Sequence, residues 1–155
     1  MRFWLMKSEP DTFGIEDLAA TPRQTTSWEG VRNFQARNML RDDMKAGDLA
    51  FFYHSSCPDP GIAGVVEVVR PGYPDASAWN TRSPYFDPKS PENKPLWYAV
   101  DVRLKQRARQ LLPLAVLREH AGEQLDGLLL LRRGNRLSIT PVDVAHWKFI
   151  VSLMR

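Results

Sequence analysis

The chain has very little cysteine: Cys57 is the only one among 155 residues. A single thiol cannot form an internal disulfide, and together with three scattered histidines, His54, His120 and His146, it does not give the ligand spacing of a metal site. We therefore expect no disulfide scaffold, no metal and no other cofactor. A protein without disulfides fits a reducing compartment, so the expected localisation is cytoplasmic.

Long hydrophobic runs and common catalytic motifs are also missing. No apolar stretch approaches the ~20 residues of a membrane-spanning helix, and residues 1–7 do not have the pattern of a signal peptide, so no membrane partner is expected. Dinucleotide-binding, Walker A, nucleophile-elbow and zinc-protease motifs are absent, which weakens the case for an enzyme. A Ser-His-Asp triad could be drawn from Ser8 or Ser55 with His54 and Asp101, but only geometry can decide it.

The composition is that of a globular protein. With 43% hydrophobic and 25% charged residues, we expect one domain over residues 1–155, and nothing in the sequence demands a dimer, so we expect a monomer. The net charge of +3 is unevenly distributed: residues 1–77 hold 8 basic and 11 acidic side chains, and the remainder holds 13 and 7. The positive half could favour a polyanionic partner.

The hydrophobic pattern of the first half predicts three strands and two helices. Strands are expected at residues 3–6, 49–54 and 62–69, the last two as an antiparallel pair. A short helix is expected at residues 15–19, and an amphipathic helix at residues 32–44, ending near Gly47.

The second half begins with an ordered loop at residues 71–95, which holds six of the 12 prolines. A long strand is predicted at residues 96–109, in which every second residue from 103 to 109 is a cation, so that the four cations share one face. A helix is expected after Pro113. Residues 140–143 resemble a capping box opening a last helix that buries Val144, Trp147 and Val151. The sum is an α+β fold with a mixed sheet of five to six strands and short flanking helices.

Isolated aromatic residues stand beside polar residues in several predicted turns. Trp28, Tyr53, Trp79 and the Tyr85-Phe86 pair are of this kind. Flat side chains stack a flipped or single-stranded base, while amides, hydroxyls and backbone groups read the base edge and arginines hold phosphates. The alternative for each aromatic is a place in the core. We favour the core for Trp4, Trp97 and Trp147, and a cavity wall for Trp28.

Six segments taken together resemble the EVE domain, a member of the PUA-like superfamily that is distantly similar to YTH domains. In chain order they are WLMKSEP at residues 4–10, WEGVRNFQARN at 28–38, GDLAFFYHS at 47–55, GIAG at 61–64, YFDPKS at 85–90 and GNRLS at 134–138. The resemblance covers nearly the whole chain, and each segment stands in the expected order.

The resemblance implies a PUA-like pseudobarrel with a central pocket, and recognition rather than catalysis. Bacterial EVE proteins are thought to read modified cytosines in DNA, with the base flipped into an aromatic cage, and YTH domains bind a methylated adenine of RNA. The base pocket implied here consists of Lys7, Ser8, Glu9, Trp28, Asn33, Tyr53, His54, Ser55, Trp79 and Phe86. Phosphate or sugar contacts are implied for Arg32, Arg103, Arg107, Arg133, Asn135, Arg136 and Ser138.

Three other functions remain open at this point. The base could belong to RNA instead of DNA. The same cavity could process a small nucleotide, with Glu9, Glu29 or His54 as the acid or base. The chain could also be a small-molecule sensor or a protein-interaction module, in which case the basic strand face would be solvated surface.

Overall fold

The computed structural model describes residues 1–155. Six strands form one mixed sheet in the order β2-β5-β4-β3-β1-β6. The strands are β1 (Phe3–Ser8), β2 (Thr25–Trp28), β3 (Leu49–His54), β4 (Gly61–Pro74), β5 (Tyr98–Pro113) and β6 (Ile139–Val142). Strands β1 and β3 run parallel at the centre, and the other neighbouring pairs are antiparallel.

Five short helices flank this sheet. They are α1 (Pro10–Phe13), α2 (Ile15–Ala20), α3 (Phe34–Asn38), α4 (Leu114–Arg118) and α5 (Val144–Leu153). A π-helical turn, Met39–Asp43, continues α3, and 3-10 turns lie at Pro22–Gln24, Ala76–Trp79 and Leu129–Leu131. No helix has the length and apolar character needed to cross a bilayer. The expected α+β architecture is confirmed.

The core lies on both faces of the sheet because successive strand residues point to opposite sides. Trp4 and Phe52 belong to the cluster on one face, which also includes residues of α2 and α3. Leu5 and Phe51 belong to the cluster on the other face, where α5 contributes Trp147. The assignment of Trp4, Trp97 and Trp147 to the interior is confirmed, since each is at most 7% exposed.

Two predicted boundaries are wrong at the end of the chain. Residues Ile139–Val142 form the edge strand β6 rather than a capping box, and Pro141 pairs with Trp4 of β1. An edge strand tolerates proline because one side of it needs no backbone donor. The last helix begins at Val144, which is 52% exposed, and it buries Trp147 as expected but Ile150 in place of Val151.

Two other differences concern residues that enter the functional site. Strand β2 was not predicted, because only four residues form it. The helix expected from Arg32 starts at Phe34, since Asn33 has an extended backbone and its side chain accepts a hydrogen bond from the Ala36 amide at 3.0 Å. Asn33 is therefore the N-cap of α3, and Arg32 lies outside the helix.

Candidate functional site

A cavity of about 540 Å³ opens where the C-terminal ends of β1 and β2 come together. Six of the residues predicted for base or phosphate binding line it: Lys7, Ser8, Glu9, Trp28, Arg32 and Ser138. The structure adds eight lining residues to this set: Thr12, Phe13, Thr26, Ser27, Glu29, Gly30, Val31 and Tyr85. Of these, Glu29 was predicted only as a possible acid or base of an enzyme, and Tyr85 only as one of the aromatics beside polar residues. Its volume is within the range of small-molecule pockets.

The end of β1 forms one wall of this cavity. The Ser8 hydroxyl donates to the Phe13 carbonyl at 2.6 Å and so fixes the turn that carries α1. The Lys7 amide donates to the Ser138 carbonyl at 2.8 Å, which ties the 132–138 loop to the same wall. Burial lowers the pKa of Lys7. The Ser8 oxygen retains the capacity to accept a hydrogen bond from a ligand.

Trp28 forms the opposite wall. It is the last residue of β2, is only 8% exposed and belongs to the core cluster while also lining the cavity. Its ring contacts Phe52 edge to face at 5.5 Å, and its backbone pairs with Val100 of β5. The two interpretations of Trp28, core anchor and cavity wall, therefore both describe its position.

Arg32 joins this wall to the loop that follows β4. Its five N–H groups donate to four residues. Nη1 donates to the Val31 carbonyl and to Asp75 at 3.0 Å each. Nη2 donates to the Ser77 hydroxyl at 3.2 Å and to the Tyr85 carbonyl at 2.7 Å, and Nε donates to the same Tyr85 carbonyl at 3.2 Å. A guanidinium has only five such donors. Arg32 was predicted to contact phosphate, but in this arrangement it has no donor left for one.

Asp75 is the buried anion at the centre of these contacts. Its side chain is fully buried and accepts from the Gly30 amide at 2.9 Å and from the Ser77 amide and hydroxyl at 2.9 and 2.6 Å, besides Arg32. Burial alone would raise the pKa of Asp75, but hydrogen bonds from Ser77, Gly30 and Arg32 together lower it. The site thus holds a stable carboxylate just behind its wall.

Glu29 lies between Trp28 and Gly30 at the cavity surface. Burial and the nearby Asp75 charge raise its pKa, and Arg32 partly opposes them. Lys7, across the cavity, has its pKa shifted in the opposite direction by burial. Both shifts favour the neutral forms, so the partly buried surroundings of Lys7 and Glu29 disfavour isolated charge.

Tyr85 lines the cavity in a position where Phe86 had been predicted. It packs directly on Gly30, whose φ of +84° is a conformation that glycine adopts readily. A Cβ at Gly30 would lie 2.6 Å from the Tyr85 ring, so the glycine makes room for it. The sequence signal was the YF pair at residues 85–86, which does not indicate which of the two rings faces inward.

Three predicted pocket residues at the end of β3 lie away from this cavity. Tyr53 is buried in the cluster on the other sheet face, where burial raises its pKa to about 12. His54 lines a second cavity of about 430 Å³ on the far side of the α1–α2 segment, and its Nε2 accepts from the Ile15 amide at 3.1 Å. The Ser55 amide donates to the Ser8 carbonyl at 2.9 Å. Their expected position at the pocket mouth is therefore wrong.

Three further predicted pocket residues also lie outside the lining. Asn33 caps α3, as described above. Trp79 ends the 3-10 turn after β4, and its buried Nε1 has no hydrogen-bond partner. Phe86 is 40% exposed.

The Ser-His-Asp triad is not formed. Ser8 donates to Phe13, and His54 Nε2 is occupied by the Ile15 amide. Asp101 accepts a hydrogen bond from Tyr73, which links β4 to β5. No hydrogen bond connects these serine, histidine and aspartate side chains, so the arrangement does not activate a nucleophile.

The predicted phosphate-binding cations fall into two groups. On β5, Arg103 lies 3.7 Å from Glu67, and Arg107 pairs with Glu16. By contrast, Arg133 and Arg136 are exposed and have no ion pair. The 132–138 loop that carries them also holds Asn135 and ends at the cavity residue Ser138.

Asn135 has a structural role in this loop. Its Nδ2 donates to the Leu129 carbonyl at 2.6 Å, and its Oδ1 accepts from the Leu137 amide at 3.0 Å. These bonds fix the shape of the loop that leads to the cavity residue Ser138.

Comparisons with known proteins agree with this geometry. Human thymocyte nuclear protein 1 is 44% identical over 165 residues, covering 97% of this chain and 72% of the human protein. The crystal structure of human THYN1 protein in complex with 5-methylcytosine containing DNA matches with a TM-score of 0.95 at 43% identity, covering 100% of this chain and 98% of that chain.

A more distant match shows the fold alone. The YTH domain of the Zygosaccharomyces rouxii MRB1 protein has a TM-score of 0.54 at 15% identity, covering 99% of this chain and 86% of that chain. Together with the relatives above it supports the expected PUA-like α+β fold, which is confirmed. The family model of the EVE domain matches residues 2–153. The chain therefore belongs to the EVE domain family.

Proposed function

We propose that this protein binds DNA and recognises a 5-methylated cytosine that is flipped out of the helix into the cavity between β1 and β2. The observation that carries the proposal is the match, over the whole chain, to a human relative solved with 5-methylcytosine containing DNA. The relative shares 43% of its residues, and this chain has a cavity large enough for one base.

The cavity supplies the two kinds of contact that a flipped base needs. Trp28 and Tyr85 provide flat apolar surface on which a ring can stack. Ser8 and Glu29 offer polar atoms to the base edge, and a carboxyl group is a natural acceptor for the cytosine N4 amine. An apolar wall also suits a 5-methyl group better than a hydrated surface does.

The backbone contacts come from the 132–138 loop. Arg133 and Arg136 are exposed and unpaired, whereas the β5 cations Arg103 and Arg107 face acidic partners. Free cations release bound counterions from nucleic acid when they bind phosphates, which makes affinity fall with salt. We therefore assign the phosphate contacts to the loop first and to β5 second.

The proposed activity is recognition without catalysis. No nucleophile in the cavity is hydrogen-bonded to a general base, since the Ser8 hydroxyl already donates to a backbone carbonyl. RNA carrying a modified base is the alternative polymer, and it belongs in the same binding experiment.

The test compares Trp28→Ala with Trp147→Ala. Both tryptophans are buried, but Trp147 stacks on Phe51 at 3.9 Å on the other face of the sheet, so its loss weakens the core without touching the cavity. Binding is measured for matched DNA and RNA oligonucleotides with and without 5-methylcytosine, after a thermal melt has shown that each variant is folded. We expect Trp28→Ala to abolish the preference for the modified base and Trp147→Ala to retain it. If Trp28→Ala retained the preference for the modified base, or if Trp147→Ala lost it as well, the result would contradict the proposal.

A further inference from the structure

Phe86 is an exposed aromatic residue next to the cavity. It is 40% exposed, whereas its neighbour Tyr85 lines the cavity. The backbone around it is held in place: the Tyr85 carbonyl accepts two hydrogen bonds from Arg32, the Phe86 amide donates to Ser83 at 3.2 Å, and the Asp87 amide donates to Ala78 at 2.9 Å. The backbone that carries the ring is therefore fixed directly after a residue of the cavity lining.

Its exposure is unlike that of the other large apolar side chains at the surface. Met1 is the terminal residue, Val144 opens α5, and Phe34 stacks on Trp97 with ring centroids 4.8 Å apart. Phe86 has no aromatic partner in the fold. Single exposed apolar side chains are common at protein surfaces, so this ring indicates a contact only in combination with its neighbours.

The charges of the same loop identify the kind of partner. Residues 80–95 hold three exposed cations without an ion pair, Arg82, Lys89 and Lys94, and two acidic residues, Asp87 and Glu92. The Asp87 carboxylate accepts from Trp97 Nε1 and from the Lys89 amide. Unpaired cations in the segment that carries an exposed phenyl ring fit a partner that has phosphates outside and flat apolar rings inside. A nucleic-acid duplex has this arrangement.

Extruding one base leaves a gap in the stack of the duplex. Proteins that distort DNA fill such gaps with apolar side chains, which offsets part of the free energy of unstacking. Phe86 is one residue from Tyr85, which lines the cavity proposed to receive the extruded base. Its backbone therefore adjoins the cavity, close to the gap that extrusion of a base would leave.

We propose that Phe86 inserts into the base stack at the position vacated by the base in the cavity, so that the preferred ligand is a double-stranded nucleic acid. This inference rests on the proposed function. In a single strand no paired stack has to be opened, so Phe86 contributes little there. The loss of the ring therefore affects duplex binding selectively.

The experiment measures the affinity of Phe86→Ala for one 5-methylcytosine sequence, presented as duplex and as single-stranded DNA. Phe34→Ala is the control, because Phe34 is an exposed aromatic residue outside the proposed contact. One stacked base is worth about a ten-fold change in affinity. We expect Phe86→Ala to weaken duplex binding by about this factor, to leave single-strand binding within about two-fold, and to lower the fluorescence of 2-aminopurine placed beside the modified base.

The outcomes separate this inference from the function on which it rests. Suppose that the unaltered protein prefers 5-methylcytosine and that Phe86→Ala binds the duplex with the affinity of the unaltered protein. This result refutes the insertion of Phe86 and leaves the proposed recognition of 5-methylcytosine standing. An equal loss on duplex and single strand also refutes the insertion, because that result assigns Phe86 to a general contact. If the unaltered protein shows no preference for the modified base, the proposed function fails and the inference fails with it.

Discussion

Replacing Arg32 with alanine is expected to destabilise the protein by about 3 kcal/mol, because it leaves a fully buried carboxylate without its cation. Removing one partner of a buried ion pair costs ~3–5 kcal/mol. The lower end applies because the Arg32 side chain is 23% exposed and Asp75 keeps its bonds from the Gly30 amide and from Ser77. For a chain of this size the expected fall in Tm is about 6–12 °C.

Urea unfolding of Arg32→Ala, Asp75→Asn and the double variant measures this effect. We expect Asp75→Asn to lower the cost of removing Arg32, because no uncompensated charge is then left inside, and the two substitutions to be coupled by ~1–3 kcal/mol. A loss below about 1 kcal/mol for Arg32→Ala, or strict additivity of the two changes, would refute the reasoning.

Two further predictions concern neighbouring parts of the site. Gly30→Ala is expected to lower the free energy of unfolding by about 1–2 kcal/mol and to weaken binding of methylated DNA. The reason is that the new methyl group strains a backbone with a φ of +84° and collides with the Tyr85 ring. Unfolding and binding curves that match those of the unaltered protein would contradict this. His54 has its pKa lowered by burial, against an opposing effect of Glu16, so the folded state binds its proton less readily than the unfolded state. Its contribution to stability is then complete above the unfolded pKa of about 6.5 and is lost as the pH falls through the lower folded pKa. His54→Gln should flatten this part of the stability profile measured by urea unfolding, and an unchanged profile would show that the burial of His54 is not responsible for it.

The central strands could be predicted from the sequence because their hydrophobic pattern is long and regular. Strand β3 was expected with the bounds that it has, whereas the last helix was expected to open at residues 140–143 and begins at Val144. The four-residue strands β2 and β6 are too short to carry a pattern of their own. They exist because β5 and β1 offer them unpaired backbone groups, which no local sequence feature records.

The site likewise contains residues that could be predicted from local sequence and residues that could not. Lys7 and Ser8 were predicted through the family resemblance, whose motif WLMKSEP contains them, and Trp28 was predicted both from that resemblance and from its small and polar neighbours. Asp75 was missed because its importance comes from residues more than 40 positions away in the chain, Gly30 and Arg32. The wider implication is that a cationic side chain in a motif cannot be assigned to a ligand from sequence, since groups far away in the chain can occupy its donors.

The proposed function is tested most directly by the affinity of the unaltered protein for two duplexes that differ only in one 5-methyl group on cytosine, measured at two salt concentrations. The account predicts tighter binding of the methylated duplex at both concentrations, with affinities for both duplexes falling as salt rises. Equal affinity for the two duplexes would contradict the reading of a modified base by this cavity.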